Sequence, residues 1–137
     1  MNEVVPIDKE YIFEGSMMIS QTDLKGNITY VNRKFCEVSG YKIDELVGSS
    51  HNIIRHPDMP KATFSKLWEA IADGQSWNGL IKSLRKDGLF YWVDIEIIPV
   101  NNEENKLTGF ISTRKVASRK DIEENKKIYQ KMLDSEV

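Results

Sequence analysis

The stretch Phe90 to Val100 limits the possible architectures more than any other part of the chain. It reads Phe-Tyr-Trp-Val-Asp-Ile-Glu-Ile-Ile-Pro-Val, with Tyr91, Val93, Ile95 and Ile97 sharing one parity and Phe90, Trp92, Asp94 and Glu96 the other. A period of two is the signature of a strand, and it assigns these two sets to opposite faces of a sheet. Just before it, Arg85-Lys86-Asp87-Gly88 ends in Asp-Gly, the commonest signal of a tight hairpin turn, and Trp77 to Leu84 is a second apolar-rich run. A long hairpin with a strongly apolar face is not stable by itself. It needs further strands and a covering layer, so the rest of the chain must supply both.

Ser16 to Ser20 and Ile28 to Val31 are short β-prone stretches around the polar segment Gln21 to Gly26, and Leu107 to Val116 is a fifth strand after the polar loop Asn101 to Lys106. Between the early and late strands the periodicity becomes helical. Phe35, Val38 and Tyr41 recur at three-residue steps with Gly40 as a stop, and Lys42 to Leu46 makes a second short turn. Pro60 suits the first position of a helix bearing Phe64, Leu67, Trp68 and Ile71 and ending at Gly74. From Ser118, which pairs with Asp121 in an approximate capping box, Arg119 to Leu133 reads as a charged helix with Ile122, Tyr129, Met132 and Leu133 on its apolar side. The expected class is α+β: a five-stranded antiparallel sheet, short helices on one face, a trailing C-terminal helix, and a cavity between sheet and helices.

At 137 residues the chain forms one core without help from a disulfide, and 40% hydrophobic with 29% charged residues excludes a disordered or fibrous chain. A net charge of -2 offers no footprint for nucleic acid. A lone Cys36 excludes an internal disulfide and a four-cysteine zinc site, and its place in an apolar-periodic helix marks it as a buried thiol. There is no apolar run of membrane-spanning length, and Met1 to Glu10 lacks a secretory pattern, so the expected location is the cytoplasm, without membrane insertion.

The densest polar block is His51-Asn52-Ile53-Ile54-Arg55-His56-Pro57-Asp58-Met59-Pro60, which holds both histidines of the chain. One reading is a rigid connector with Asp58 capping the following helix; the other is a binding element whose helix start accepts an anion or a polar ring edge. A metal set of His51, His56 and Asp58 has nothing to fix its geometry, and proline between the ligands gives no preference for coordination. No phosphate-cradling glycine motif, nucleophile elbow or zinc-protease signature is present, and no base and nucleophile pair can be named, which argues against an enzyme. Trp77, followed by Asn78 and Gly79, suggests a strand on which a flat ring approaches the backbone.

These residues together resemble a PAS domain, of the Aer-type branch found in bacterial energy-taxis receptors and related redox-sensing proteins. The resemblance runs from about Ser20 to Tyr129. It is carried by Thr22-Asp23-Leu24 with Gly26, Tyr30-Val31-Asn32, Val38-Ser39-Gly40-Tyr41, the block from His51 to Pro60, and Lys86-Asp87-Gly88 followed by Tyr91-Trp92-Val93. It implies an N-terminal cap over 1–14, a sensor domain over 15–117 and a signalling helix over 118–137. It further implies FAD held without a covalent bond, with Asn32, His51, Arg55, His56, Asp58 and Trp77 lining or supporting the site. Arg55 would pair with pyrophosphate, Trp77 would stack on a ring, and a histidine would meet a polar edge while Asp58 orients its neighbours. Ser83 stands where flavin-binding members commonly carry asparagine, and a hydroxyl has less reach and fewer donors than an amide. Haem, with His51 or His56 as axial ligand, is the second cofactor option, and a cofactor-free interaction module is the rival reading.

Output would run to a chemoreceptor or another effector. Phe90 and Trp92 face away from the expected cavity, where the trailing helix, the segment Val4 to Phe13, a partner or a second copy of the chain would cover them.

Overall fold

The computed structural model describes residues 4–136. Five strands, β1 (Met18–Asp23), β2 (Ile28–Val31), β3 (Trp77–Leu84), β4 (Phe90–Asn101) and β5 (Leu107–Val116), form one antiparallel sheet in the order β2-β1-β5-β4-β3. Between β2 and β3 lie α1 (Arg33–Ser39), α2 (Ile43–Leu46), a 3-10 turn at His51–Ile54 and α3 (Lys61–Ala72); α4 (Arg119–Ser135) follows β5.

The hairpin has the expected register, with Leu84 opposite Phe90 and Trp77 opposite Ile97. Alternation in β4 is also as read. Tyr91, Val93, Ile95 and Ile97 are buried in the main core with Met18, Phe35, Val38, Leu46, Leu67 and Ile71, so α1 to α3 cover this inner face. β1 begins and ends later than its apolar run suggests, because polar Gln21, Thr22 and Asp23 are held in the sheet by β2 on one side and β5 on the other. A strand paired along both edges has its backbone fully satisfied, so tertiary pairing overrides weak local propensity. Helix α1 stops at Gly40, whose φ of 81° lets its N–H close back on the Cys36 carbonyl.

The outer face of the hairpin is covered from within the chain. Trp92 is only 5% exposed and stacks on Tyr129 of α4 at 6.3 Å between ring centroids and 4° between planes. Leu80, Ala117 and Ile122 complete this second apolar cluster, and the Tyr129 hydroxyl donates to the Leu80 carbonyl. Burying one indole removes on the order of 200 Å² from water, roughly 5 kcal/mol before entropic costs, so Trp92 is a main fastening of α4. The described part of the N-terminal segment extends the sheet beside the start of β4, where Tyr11 donates to the Phe90 carbonyl and Phe90 to that of Lys9. Glu10 of this segment pairs with Arg119 at 2.7 Å. Among the described residues no helix is long and apolar enough to cross a membrane.

Candidate functional site

Between the inner sheet face and the helices lies a cavity of about 90 Å³. Its walls are apolar: Ile81, Ile95 and Ile97 from β3 and β4 on one side, Leu67, Trp68 and Ile71 from α3 on the other. Strand alternation puts the three isoleucines on one surface and helical spacing gathers the three α3 side chains on one stripe, so the walls face each other across a slot. Arg55, Asn52 and Phe64 border it as well, joining the 3-10 turn to the start of α3.

One end of this slot is polar and carries a buried charge. Arg114 and Ser112 occupy alternate positions of β5, with Phe110 on the same face, and Arg114 is 6% exposed. Its Nη1 donates to Ser112 Oγ at 2.8 Å and faces His51 Nε2 at 3.3 Å. Ser20 of β1 links the group, with its Oγ 2.8 Å from Ser112 Oγ and 3.0 Å from His51 Nε2. A guanidinium only donates, so the ring nitrogen that meets it is the bare one and the imidazole proton belongs on Nδ1. Burial, followed by the Arg114 charge, pushes the His51 pKa down to about 3, so His51 is neutral. Burial alone drives Arg114 down to about 10, which still leaves it a cation near neutrality. None of the ion pairs among the described residues includes Arg114, and its buried Nε has no hydrogen-bond partner. A buried cation without a counter-charge is costly unless something else in the site supplies acceptors.

Of the residues singled out from the sequence, His51, Arg55 and Ser83 border the cavity. Ser83 is 2% exposed and sits opposite Tyr91 in the hairpin, while the backbone of Arg55 bridges to Ser83 across the edge of β3. Asn32, His56, Asp58 and Trp77 are outside the lining. Asn32 caps α1, accepting from the Phe35 N–H, and ties that helix to β1 through the Ile19 N–H and Met17 carbonyl. His56 is buried, accepts from the Asp58 N–H at Nδ1 and meets Phe90 edge-on; its pKa is lowered by burial and then by Lys82. Asp58 is exposed and pairs with Lys82 at 3.4 Å instead of capping α3. Pro60 occupies the N-cap, so α3 begins one residue later than read. The flat ring that approaches Gly79 is the indole of Trp77 itself: a Cβ on Gly79 would lie 2.6 Å from it. Trp77 thus packs on its own strand at the rim of the core.

Sequence reasoning missed Arg114, Ser112 and Ser20. Phe110, Ser112 and Arg114 share one parity, and placing the large aromatic inward carries the arginine inward with it.

The model of the PAS fold matches residues 28–114. The chain is 39% identical over 117 residues to the aerotaxis receptor of Escherichia coli (strain K12), an overlap covering 85% of this chain and 23% of that protein. With the nitrogen fixation regulatory protein of Klebsiella pneumoniae it shares 30% identity over 102 residues, 74% of this chain and 21% of the relative. It therefore spans about a fifth to a quarter of the length of these relatives. Among solved structures, the light state of the blue-light photoreceptor Aureochrome1 LOV superposes with a TM-score of 0.72 at 18% identity, covering 80% of this chain and 91% of the other. A PAS domain from Colwellia psychrerythraea gives 0.68 at 24% identity, with 75% and 87% covered. Sheet order, helical cover and these matches agree, and the chain belongs to the PAS family.

Proposed function

We propose that this chain is a redox-sensing module that holds FAD in the cavity and passes the cofactor's state to a signalling partner. The observation that carries the reading is Arg114, a buried cation with an unpartnered Nε at the polar end of an apolar-walled slot. A flat heteroaromatic ring with apolar faces and one acceptor-rich edge suits such a site: the faces meet isoleucine, leucine and tryptophan, and the edge meets donors. When bound, the flavin supplies reversible electron transfer. The protein's part is to hold the ring and set the electrostatics around it. In this reading Arg114 and Ser112 offer donors to the polar edge, Ser83 adds a hydroxyl from β3, and Arg55 reaches charged groups at the mouth. His51 fixes the guanidinium in place by accepting from it. Asn32, His56, Asp58 and Trp77 act from outside, holding α1, the 51–60 block and the rim in position.

Flavin suits the site better than haem because neither imidazole presents a bare ring nitrogen to the cavity: His51 lines it with Nε2 already accepting, and His56 stands outside its lining. His51 Nε2 is engaged by Arg114 and Ser20, and His56 Nδ1 by the Asp58 N–H. Signalling to an effector of the chemotaxis type, in the cytoplasm, agrees with the likeness to the aerotaxis receptor.

The test is to purify the chain, add FAD, remove excess and record the absorption spectrum. Stoichiometric flavin bands that shift reversibly on reduction support the proposal, and Arg55→Ala should retain less flavin while keeping its far-ultraviolet circular dichroism. A preparation that takes up neither FAD nor FMN refutes it and leaves a cofactor-free interaction module; a Soret band would establish haem instead.

A further inference from the structure

The guanidinium of Arg114 is engaged on one side only. Its hydrogen bonds among the described residues all run through Nη1, to Ser112 Oγ at 2.8 Å, His51 Nε2 at 3.3 Å and Ser20 Oγ at 3.5 Å. Neither Nε nor Nη2 meets a protein acceptor there, and these two nitrogens form an edge through which a guanidinium holds a carboxylate by two parallel bonds. The rest of the lining supplies no negative charge. Of the ionisable groups bordering the cavity, His51 is neutral and Arg55 and Arg114 are cations; among the described residues no aspartate or glutamate borders it. Arg55 already lies over the Phe64 ring, 3.9 Å from its centroid, which leaves Arg114 as the cation of the polar end.

The walls decide what kind of anion fits. Ile81, Ile95 and Ile97 face Leu67, Trp68 and Ile71, so a hydrated ion such as chloride or phosphate would give up its water with one guanidinium edge in return. A carboxylate that carries its own apolar body desolvates only its head, and burial of the body is favourable. Size narrows the class further. A space of about 90 Å³ holds roughly six to nine water-sized groups at about 10–15 Å³ each, room for a single aromatic ring and its carboxylate.

We infer that the cavity is also a binding site for a compact apolar monocarboxylate of the benzoate class, with the ligand's body between the β3 and β4 isoleucines and the α3 stripe and its two oxygens on Nε and Nη2 of Arg114. The inference goes beyond the FAD reading and does not rest on it. Ser112, Ser20 and His51 hold the opposite edge of the guanidinium, so its free edge is oriented before a ligand arrives and little ordering is left to be done on binding. A small acid and a flavin ring would use the same walls and the same cation. Each therefore excludes the other, and the concentration of such an acid sets how much of the chain is open to the cofactor.

The experiment titrates the full chain with benzoate, and with benzyl alcohol as its neutral counterpart, followed by thermal unfolding and by methyl NMR. Benzoate should raise the parent's midpoint progressively with concentration, and its ring protons should show nuclear Overhauser contacts to the methyl groups of Ile81, Ile95, Ile97 and Leu67. Arg114→Met should bind benzoate at least about tenfold more weakly while binding benzyl alcohol as the parent does, because only the charge-assisted bonds are lost. Benzoate should also raise the apparent Kd for FAD. Equal benzoate affinity in parent and variant, or a bound benzoate without contacts to those methyl groups, overturns the inference. Benzoate seated in the slot of a chain that takes up no FAD supports it and refutes the FAD reading; FAD uptake with no benzoate binding overturns it and leaves the FAD reading standing.

Discussion

Replacing Arg114 by methionine should leave the cofactor-free chain as stable as the parent or more so, the opposite of what truncating a buried, hydrogen-bonded residue normally does. Burial lowers the Arg114 pKa from its ordinary arginine value to about 10, which corresponds to roughly 3 kcal/mol against the charged form in the folded chain. The substitution removes that cost. It also removes the bond to Ser112 at 2.8 Å, worth roughly 1.5–3 kcal/mol for a charged donor. No acceptor is orphaned, because Ser20 remains bonded to both Ser112 and His51. The net expectation at neutral pH lies between no change and a gain of about 2 kcal/mol. Because the folded-state pKa is the lower one, the parent's stability should rise as pH climbs above about 10 towards the ordinary arginine range, and the variant should lack that rise. Urea unfolding followed by far-ultraviolet circular dichroism, with and without FAD, measures both effects. FAD should raise the parent's midpoint and leave that of Arg114→Met unmoved. A cofactor-free variant less stable than the parent by more than about 2 kcal/mol would refute the reasoning, since the cation would then be well satisfied by the protein alone.

Three further outcomes are expected. The His51 pKa falls from 6.5 to about 3 on folding, so the unfolded chain binds the extra proton and stability drops by up to about 5 kcal/mol as pH falls through that window; His51→Asn should flatten this part of the profile in acid titrations of unfolding. Ser83→Asn should tighten FAD binding by one hydrogen bond, about two- to tenfold in a fluorescence titration, and an unchanged affinity would place the ring's polar edge elsewhere. Tyr129→Phe should cost about 1 kcal/mol in thermal unfolding through loss of the bond to the Leu80 carbonyl, whereas Tyr129→Ala also removes the stack on Trp92 and should cost about 3 kcal/mol or more.

Much of the fold was legible because its signals are local. The Asp87-Gly88 turn sets the hairpin, alternation from Phe90 to Ile97 assigns its faces, and Phe64, Leu67 and Ile71 mark the stripe of α3. The candidate site was legible only in part. His51, Arg55 and Ser83 reach the cavity, but Asn32 caps a helix, and His56 and Asp58 are held by Phe90 and Lys82. A histidine-rich block announces polar density without saying which side chains point inward, because a 3-10 turn and two prolines break the period that would assign faces.

By itself the sequence determined the α+β order of strands and helices, the inner wall of isoleucines and valine, and the position of the polar block ahead of α3, all of which depend on spacing between near neighbours. The tertiary structure alone decided that Arg114 is a buried cation among Ser20, His51 and Ser112, that α4 covers Trp92, and that Glu136 meets the start of α3. Those contacts join residues far apart in the chain, so no periodicity records them. They arise when packing the sheet against its helices takes side chains out of water and forces each polar group to find whatever partner the fold brings near.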